Sequence, residues 1–182
     1  MDSLDAYRKL ARSLTRDKFV ARYNHPFLVK RPLARPLEDP TLDDAWDDRF
    51  SFRTRVLDDI DDPDLEDEYG PIAHEWRVVE VRKREGNPFP DRISVGRAKN
   101  CDVVLRFPSV SKLHAHFVVK AGDPVFRLVD QQSANGTKVS GRQIAAGDIV
   151  PVNHGDVIRF GVVDLEFVDA SRFYSILGAI AG

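Results

Sequence analysis

From Trp76 onward the sequence breaks into short β-favouring runs divided by turn residues, and this punctuation restricts the fold more than any other feature. The runs occupy residues 77–81, 92–95, 103–105, 115–119, 125–129, 149–152, 157–160 and 163–167. Between them lie Gly86-Asn87-Pro88, Ala121-Gly122-Asp123-Pro124, Asn135-Gly136, Ser140-Gly141, Ala146-Gly147-Asp148, Asn153-His154-Gly155 and Gly161. Glycine, asparagine, aspartate and proline are the residues that tight turns require. The spacing predicts an antiparallel sandwich. Ala115, Phe117 and Val119 alternate with His116 and Val118, and Val163, Leu165 and Phe167 alternate with Asp164 and Glu166, so one face of each strand enters a core.

The whole chain has 182 residues, 42% of them apolar, enough for one domain of ordinary size plus an extension. A single cysteine, Cys101, forms no internal disulfide, and neither a leader pattern nor a membrane-length apolar run is present. A soluble cytoplasmic protein, without membrane attachment, is the expectation. The net charge of -2 hides an uneven distribution: residues 1–36 carry +6, residues 37–69 carry -11 and residues 70–182 carry +3. Three regions follow: a basic arm (1–36), an acidic linker (37–69) and the β domain (70–182).

The arm reads as helical. Ser3 is the expected cap, Leu4, Tyr7, Ala11 and Leu14 recur at helical spacing, Phe19, Val20 and Tyr23 extend the pattern, and Asn24-His25-Pro26 stops it. Its basic charge lacks aromatic interleaving and any reader motif, so nucleic acid is not expected as a partner. The linker, dense in Asp58-Asp59-Ile60-Asp61-Asp62 and Glu66-Asp67-Glu68, has too little apolar surface to offset ordering entropy, and no register in it matches a calcium loop. At the other end Phe173, Ile176, Leu177 and Ile180 fall on one face of a short helix over 169–180, capped by Asp169 or Ser171.

Three fragments carry chemistry: Val95-Gly96-Arg97, Val110-Ser111-Lys112-Leu113-His114 and Ser133-Ala134-Asn135-Gly136-Thr137. A guanidinium makes bidentate bonds to phosphate oxygens, a hydroxyl adds a donor, and an asparagine amide both donates to and accepts from peptide backbone. In this order, with Asn100-Cys101-Asp102-Val103-Val104 and the Asn135-Gly136-Thr137-Lys138-Val139-x-Gly141 run, the stretch 76–168 resembles the forkhead-associated (FHA) domain, a phosphothreonine-peptide binding module. The resemblance implies an FHA-type β-sandwich with binding loops at one end. It assigns phosphate contacts to Arg97 and Ser111, with Lys112 adding charge and Ser133 beside them, and gives Asn135 the bound peptide's backbone. His114 is assigned a structural role in holding the loops, supported by Gly96, Gly136 and Thr137. Many family members carry serine or threonine directly before the asparagine, whereas this chain has Ala134, which implies one phosphate contact fewer.

Other readings of these residues are weaker. His114 and His116 lie two apart, yet a zinc site needs three or four ligands and the neighbourhood supplies no more; Cys101 has no orienting partner for a nucleophile, and no phosphate-cradling glycine loop is present. The expectation is therefore a non-enzymatic adaptor without cofactor or metal. Its partner is a phosphothreonine-containing protein, a Ser/Thr kinase or that kinase's substrate, and the alternative is a phosphorylation-independent scaffold subunit of a larger secretion or signalling complex. Thr41 precedes Asp44 by three residues, an arrangement the family commonly reads, which makes Thr41 a candidate phosphorylation site and intramolecular ligand. A monomer is expected, with a dimer as the alternative if that ligand acts between copies.

Overall fold

The computed structural model describes residues 2–32 and 75–180. The acidic segment and Thr41 lie outside the described residues. Two sheets face each other, one with strand order β1-β3-β2-β12-β11-β8-β9 and one with order β10-β7-β6-β4-β5. The first comprises β1 (Asp2–Ser3), β2 (Phe27–Lys30), β3 (Arg77–Glu80), β8 (Thr137–Val139), β9 (Arg142–Ile144), β11 (Val157–Phe160) and β12 (Val163–Val168). The second comprises β4 (Arg92–Gly96), β5 (Val103–Val104), β6 (Ala115–Val118), β7 (Phe126–Asp130) and β10 (Val150–Val152). Every pairing is antiparallel except β4 with β5, where Val95 and Gly96 run parallel to Val103 and Val104.

The core between the sheets is the one the alternation predicts: Leu28, Ile93, Val95, Phe117, Leu128, Ile158, Leu165 and Phe167 are buried there. Phe117 stacks on Phe167 with ring centroids 5.6 Å apart. The strand pattern misses β8 and β9, because three-residue strands between Asn135-Gly136 and Ser140-Gly141 look like turn sequence.

The N-terminal residues are helical, as the periodicity predicts, and in addition supply strands to the sheet. They form two helices, α1 (Asp5–Ser13) and α2 (Arg16–Arg22), with Thr15 capping the second by accepting a bond from the Lys18 N–H. Ser3 is not the cap of α1; it belongs to β1, and Leu4 occupies the cap position without a side-chain bond. Phe27–Lys30 then enters the larger sheet between β12 and β3, pairing Val29 with Glu166 and with Val78. The sandwich therefore takes strands from residues before the acidic segment as well as after it.

Helices α1 and α2, with α3 (Ala170–Ala179), cover the outer face of β3, β2 and β12. Asp169 caps α3, accepting from the Arg172 N–H at 2.6 Å. Beneath them Leu4, Tyr7, Phe19, Phe27, Val29, Val78, Val168 and Phe173 form a second core, rich in tilted and edge-on ring pairs that suit aromatic quadrupoles. This layer explains why Glu166, expected in water, is buried: it accepts bonds from Arg31 and Arg172 at its edge. Burial works to raise its pKa and the two guanidinium groups outweigh that, so the carboxylate stays charged below its ordinary value. Among the described residues, no helix is long and apolar enough to cross a membrane.

Candidate functional site

Strand direction collects the chemically marked residues at one end of the sandwich. Gly96 ends β4, Ala115 begins β6 and Asp130 ends β7, and the three are level because Val95 pairs with Ala115 and Ala115 with Asp130. On the facing sheet Thr137 pairs with Phe160 and Phe160 with Val163, so the loops at 97–102, 105–114, 131–136 and 161–162 emerge together.

Arg97 is carried by the end of β4. Its backbone N–H donates to Ser111 O at 3.0 Å and its Nε to Val110 O at 3.1 Å, so the side chain is aimed by the neighbouring loop. Gly96 beside it is required by close approach: a Cβ there would lie 2.2 Å from the Lys112 carbonyl oxygen. The first loop is anchored by the buried Asp102, which accepts from the Arg84 N–H, Asn87 Nδ2, and the N–H and hydroxyl of Ser94. Burial pushes the Asp102 carboxyl up, and these donors overcome it and hold the pKa below the ordinary value.

Ser111 is half-buried, and its Oγ accepts from the Ala134 N–H at 3.0 Å, tying the second loop to the third. Lys112 is exposed on the same loop. His114 is fully buried below them. Its Nδ1 accepts from the Ser111 N–H at 3.0 Å, which requires the proton on Nε2, and Nε2 therefore donates to Gly136 O at 3.1 Å. Desolvation lowers the His114 pKa, against opposing pulls from the Gly136 carbonyl and the Asp130 charge, so the neutral tautomer is the resident form. The imidazole also meets Phe160 edge-on at 5.6 Å.

Asn135 donates from Nδ2 to Ser109 O at 2.8 Å, linking the third loop to the second. Gly136 follows at φ +72°, a left-handed conformation natural to glycine, and a Cβ there would come within 2.6 Å of Gln143 Nε2. Ser133, on the same loop, donates its hydroxyl and its N–H to Asp130, at 2.5 and 2.9 Å. The buried Thr137 hydroxyl donates to the same carboxylate.

Asp130 and Ser109 organise the site and were not singled out from the sequence. Asp130 is 4% exposed; burial raises its pKa, but the bonds from Ser133 and Thr137 prevail and keep it below the ordinary carboxylate value. The signal for it was the Asp-x-x-Ser spacing to Ser133, a local turn pattern in which the carboxylate accepts from backbone. Ser109 accepts from Asn135 through its carbonyl and from the Val162 N–H through its hydroxyl, a long-range role with no local signature.

The family model described as FHA domain matches residues 93–161, the stretch that contains the loops at 97–102, 105–114 and 131–136 and reaches the start of the fourth. The chain carries an FHA domain. Over 144 residues it is 29% identical to the human angiogenic factor with G patch and FHA domains 1, covering 72% of this chain and 20% of that protein. It is 34% identical over 95 residues to the ABC transporter ATP-binding/permease protein Rv1747 of Mycobacterium tuberculosis, covering 52% of this chain and 10% of that one. Among solved structures, the N-terminal FHA domain of S. cerevisiae Rad53p, in complex with a phosphothreonine peptide, is similar with 20% identity and a TM-score of 0.44, over 55% of this chain and 90% of that one. The chain spans a fifth or less of the length of those two curated relatives. Within this FHA domain, Arg97, Ser111, Lys112 and Asn135 share the loop end, while His114, Asp130 and Thr137 brace it from below.

Proposed function

We propose that this FHA domain binds a phosphothreonine-containing segment of a partner protein and serves as a non-catalytic adaptor in Ser/Thr kinase signalling. The observation that carries the reading is the convergence of Arg97, Ser111 and Asn135, from three loops, onto one braced end of the sandwich. A phosphate brings about -1.5 to -2 charge and three strong acceptors at pH 7, and the guanidinium, hydroxyl and ammonium of Arg97, Ser111 and Lys112 are donors suited to it. Asn135 would turn its amide to the peptide backbone. Ser133 belongs to the supporting set in this reading, because its hydroxyl proton is directed to Asp130. With alanine at position 134, the loop contributes its N–H to Ser111 and no hydroxyl to the ligand.

The contact set exists only after modification, so phosphorylation is the switch. Titration with matched phosphorylated and unphosphorylated threonine peptides tests this directly. Binding of the phosphorylated peptide alone is expected, and Arg97→Ala should abolish it while the melting midpoint stays within about 3 °C, as for a substitution away from the core. Equal binding of both peptides, or full affinity in Arg97→Ala, would remove the assignment in favour of a phosphorylation-independent scaffold.

A further inference from the structure

The loop end carries cations that the phosphate site does not use. In the smaller sheet β6 lies between β4 and β7, so the loop at 105–114, which enters β6, separates the loop at 97–102 from the loop at 131–136. Arg97 and Asn135 bond to that central loop from opposite sides, Arg97 through Val110 and Ser111 and Asn135 through Ser109. Lys99 stands two residues beyond Arg97, exposed, on the side away from Asn135. Arg84, also exposed, donates from its guanidinium to Lys99 O at 2.7 Å, which brings a second cation to the same edge.

Hydrogen bonds fix this edge. The Ala98 N–H donates to Lys112 O at 3.1 Å, the Cys101 N–H to Ala98 O at 3.1 Å and the Arg84 N–H to Asp102 at 2.8 Å, so the backbone that presents Lys99 is set before any ligand arrives. The four loops contain one acid, Asp102, and it is 7% exposed and occupied by Asn87 and Ser94. Neither Arg84 nor Lys99 pairs with a carboxylate among the described residues. Cα atoms lie about 3.8 Å apart along the chain and an extended ligand advances about 3.3 Å per residue, so a lysine two residues from Arg97 reaches ligand positions within about three of the phosphothreonine. We infer that Lys99, with Arg84 behind it, makes the site selective for phosphothreonine segments that carry aspartate or glutamate on the side away from Asn135. The inference rests on the phosphothreonine reading of Arg97 and Ser111. Exposed ion pairs are individually weak and are screened by salt, so the preference is modest and salt-dependent.

The test titrates the full chain with two phosphothreonine peptides that differ only in glutamate or glutamine at the flanking positions, each with its unphosphorylated control. At 0.01 M salt the parent should bind the glutamate peptide about fivefold more tightly, and most of that margin should vanish at 1 M. Lys99 is the residue to change, because its side chain bonds to nothing among the described residues. Lys99→Gln should lose most of the margin at low salt by weakening the glutamate peptide, and Lys99→Glu should reverse it. Lys120→Gln removes the same charge from the hairpin between β6 and β7, at the opposite end of the sandwich, and should keep the margin. Phosphate-dependent binding with no flank preference in the parent overturns the inference and leaves the site reading intact. A margin that Lys99→Gln and Lys120→Gln reduce equally also overturns it, because the preference then belongs to the net charge of the protein. If the parent does not distinguish phosphorylated from unphosphorylated peptide, the site reading fails and the inference falls with it.

Discussion

The sandwich has two cores that share strands yet differ in how they are built. On β2 and β12, Leu28, Leu165 and Phe167 face the second sheet, whereas Phe27, Val29 and Val168 face the helices. The inter-sheet core is mostly aliphatic and is contributed largely by strands between residues 93 and 167, many of them joined by tight turns. The outer core is richer in aromatic rings and joins the N-terminal helices to the C-terminal one, with Tyr7 and Phe19 packed against Phe173. Tyr174 completes the seam by donating to the Ala11 and Leu14 carbonyls. The difference teaches that the site belongs to the first core and the strands on either side of the acidic segment to both. The loops are braced by His114 and Asp130 at the end of the inter-sheet core, while β2 and β3, which precede and follow that segment, are held on one face by each core.

The sharpest way to break the comparison is to empty each core in turn. Phe117 and Phe173 are both fully buried, and truncation to alanine should cost about 3 to 5 kcal/mol in either place. The distribution of the loss should differ. Phe117→Ala should deprotect amides across both sheets in hydrogen exchange, whereas Phe173→Ala should release α1, α2 and α3 first and leave β4, β6 and β7 protected. Uniform deprotection in Phe173→Ala would mean that the two cores form one cooperative unit.

His114 separates the bracing of the site from the outer core on a smaller scale. His114→Ala should cost about 1 to 3 kcal/mol, since it leaves the Ser111 N–H and Gly136 carbonyl without their partner. Its folded pKa lies below the ordinary histidine value, so the unfolded chain takes up a proton first as pH falls. The stability it contributes is present above about pH 6.5 and is lost below it. His116, also lowered by burial and by Arg92, adds the same sign. Denaturation midpoints at pH 7.5 and 5.5 should therefore fall in the parent and fall less in His114→Ala; identical slopes would refute the buried neutral tautomer.

The smallest expected effect concerns the outer layer alone. Glu80 on β3 lies 3.3 Å from the His25 imidazole and accepts from the Tyr7 hydroxyl at 2.8 Å, pinning α1 and the α2–β2 turn to the sheet. The close His25 imidazole, helped by the Tyr7 hydroxyl and the Arg82 charge against the opposing effect of burial, brings its pKa down to about 2 from 4.5. Its contribution is thus complete above pH 4.5 and disappears as pH falls toward 2. Glu80→Gln should cost about 1 kcal/mol at pH 7 and flatten that acid limb, read by exchange protection in α1. If α1 protection is unchanged from pH 5 to pH 3 in the parent, this anchor is not what holds the helix.

Local periodicity and turn chemistry were enough to expose most of the sandwich from sequence alone, because alternation in 115–119 and 163–167 and the glycine-bearing turns are properties of neighbouring residues. The order Gly96-Arg97, Ser111 to His114, Asn135-Gly136 likewise marks the loop end in the sequence itself. Tertiary structure alone decided the rest. Phe27–Lys30 reads as the tail of a helical arm, yet it pairs with residues nearly 140 positions away in β12, and its strand state comes from that pairing rather than from local preference. Glu166 reads as solvent-facing and is buried where Arg31, after β2, and Arg172, on α3, close over it. Ser133 reads from the sequence as a residue beside the ligand, and only the tertiary structure shows its bonds to Asp130, whose carboxylate, withdrawn from water at the end of β7, takes the nearest donors within reach.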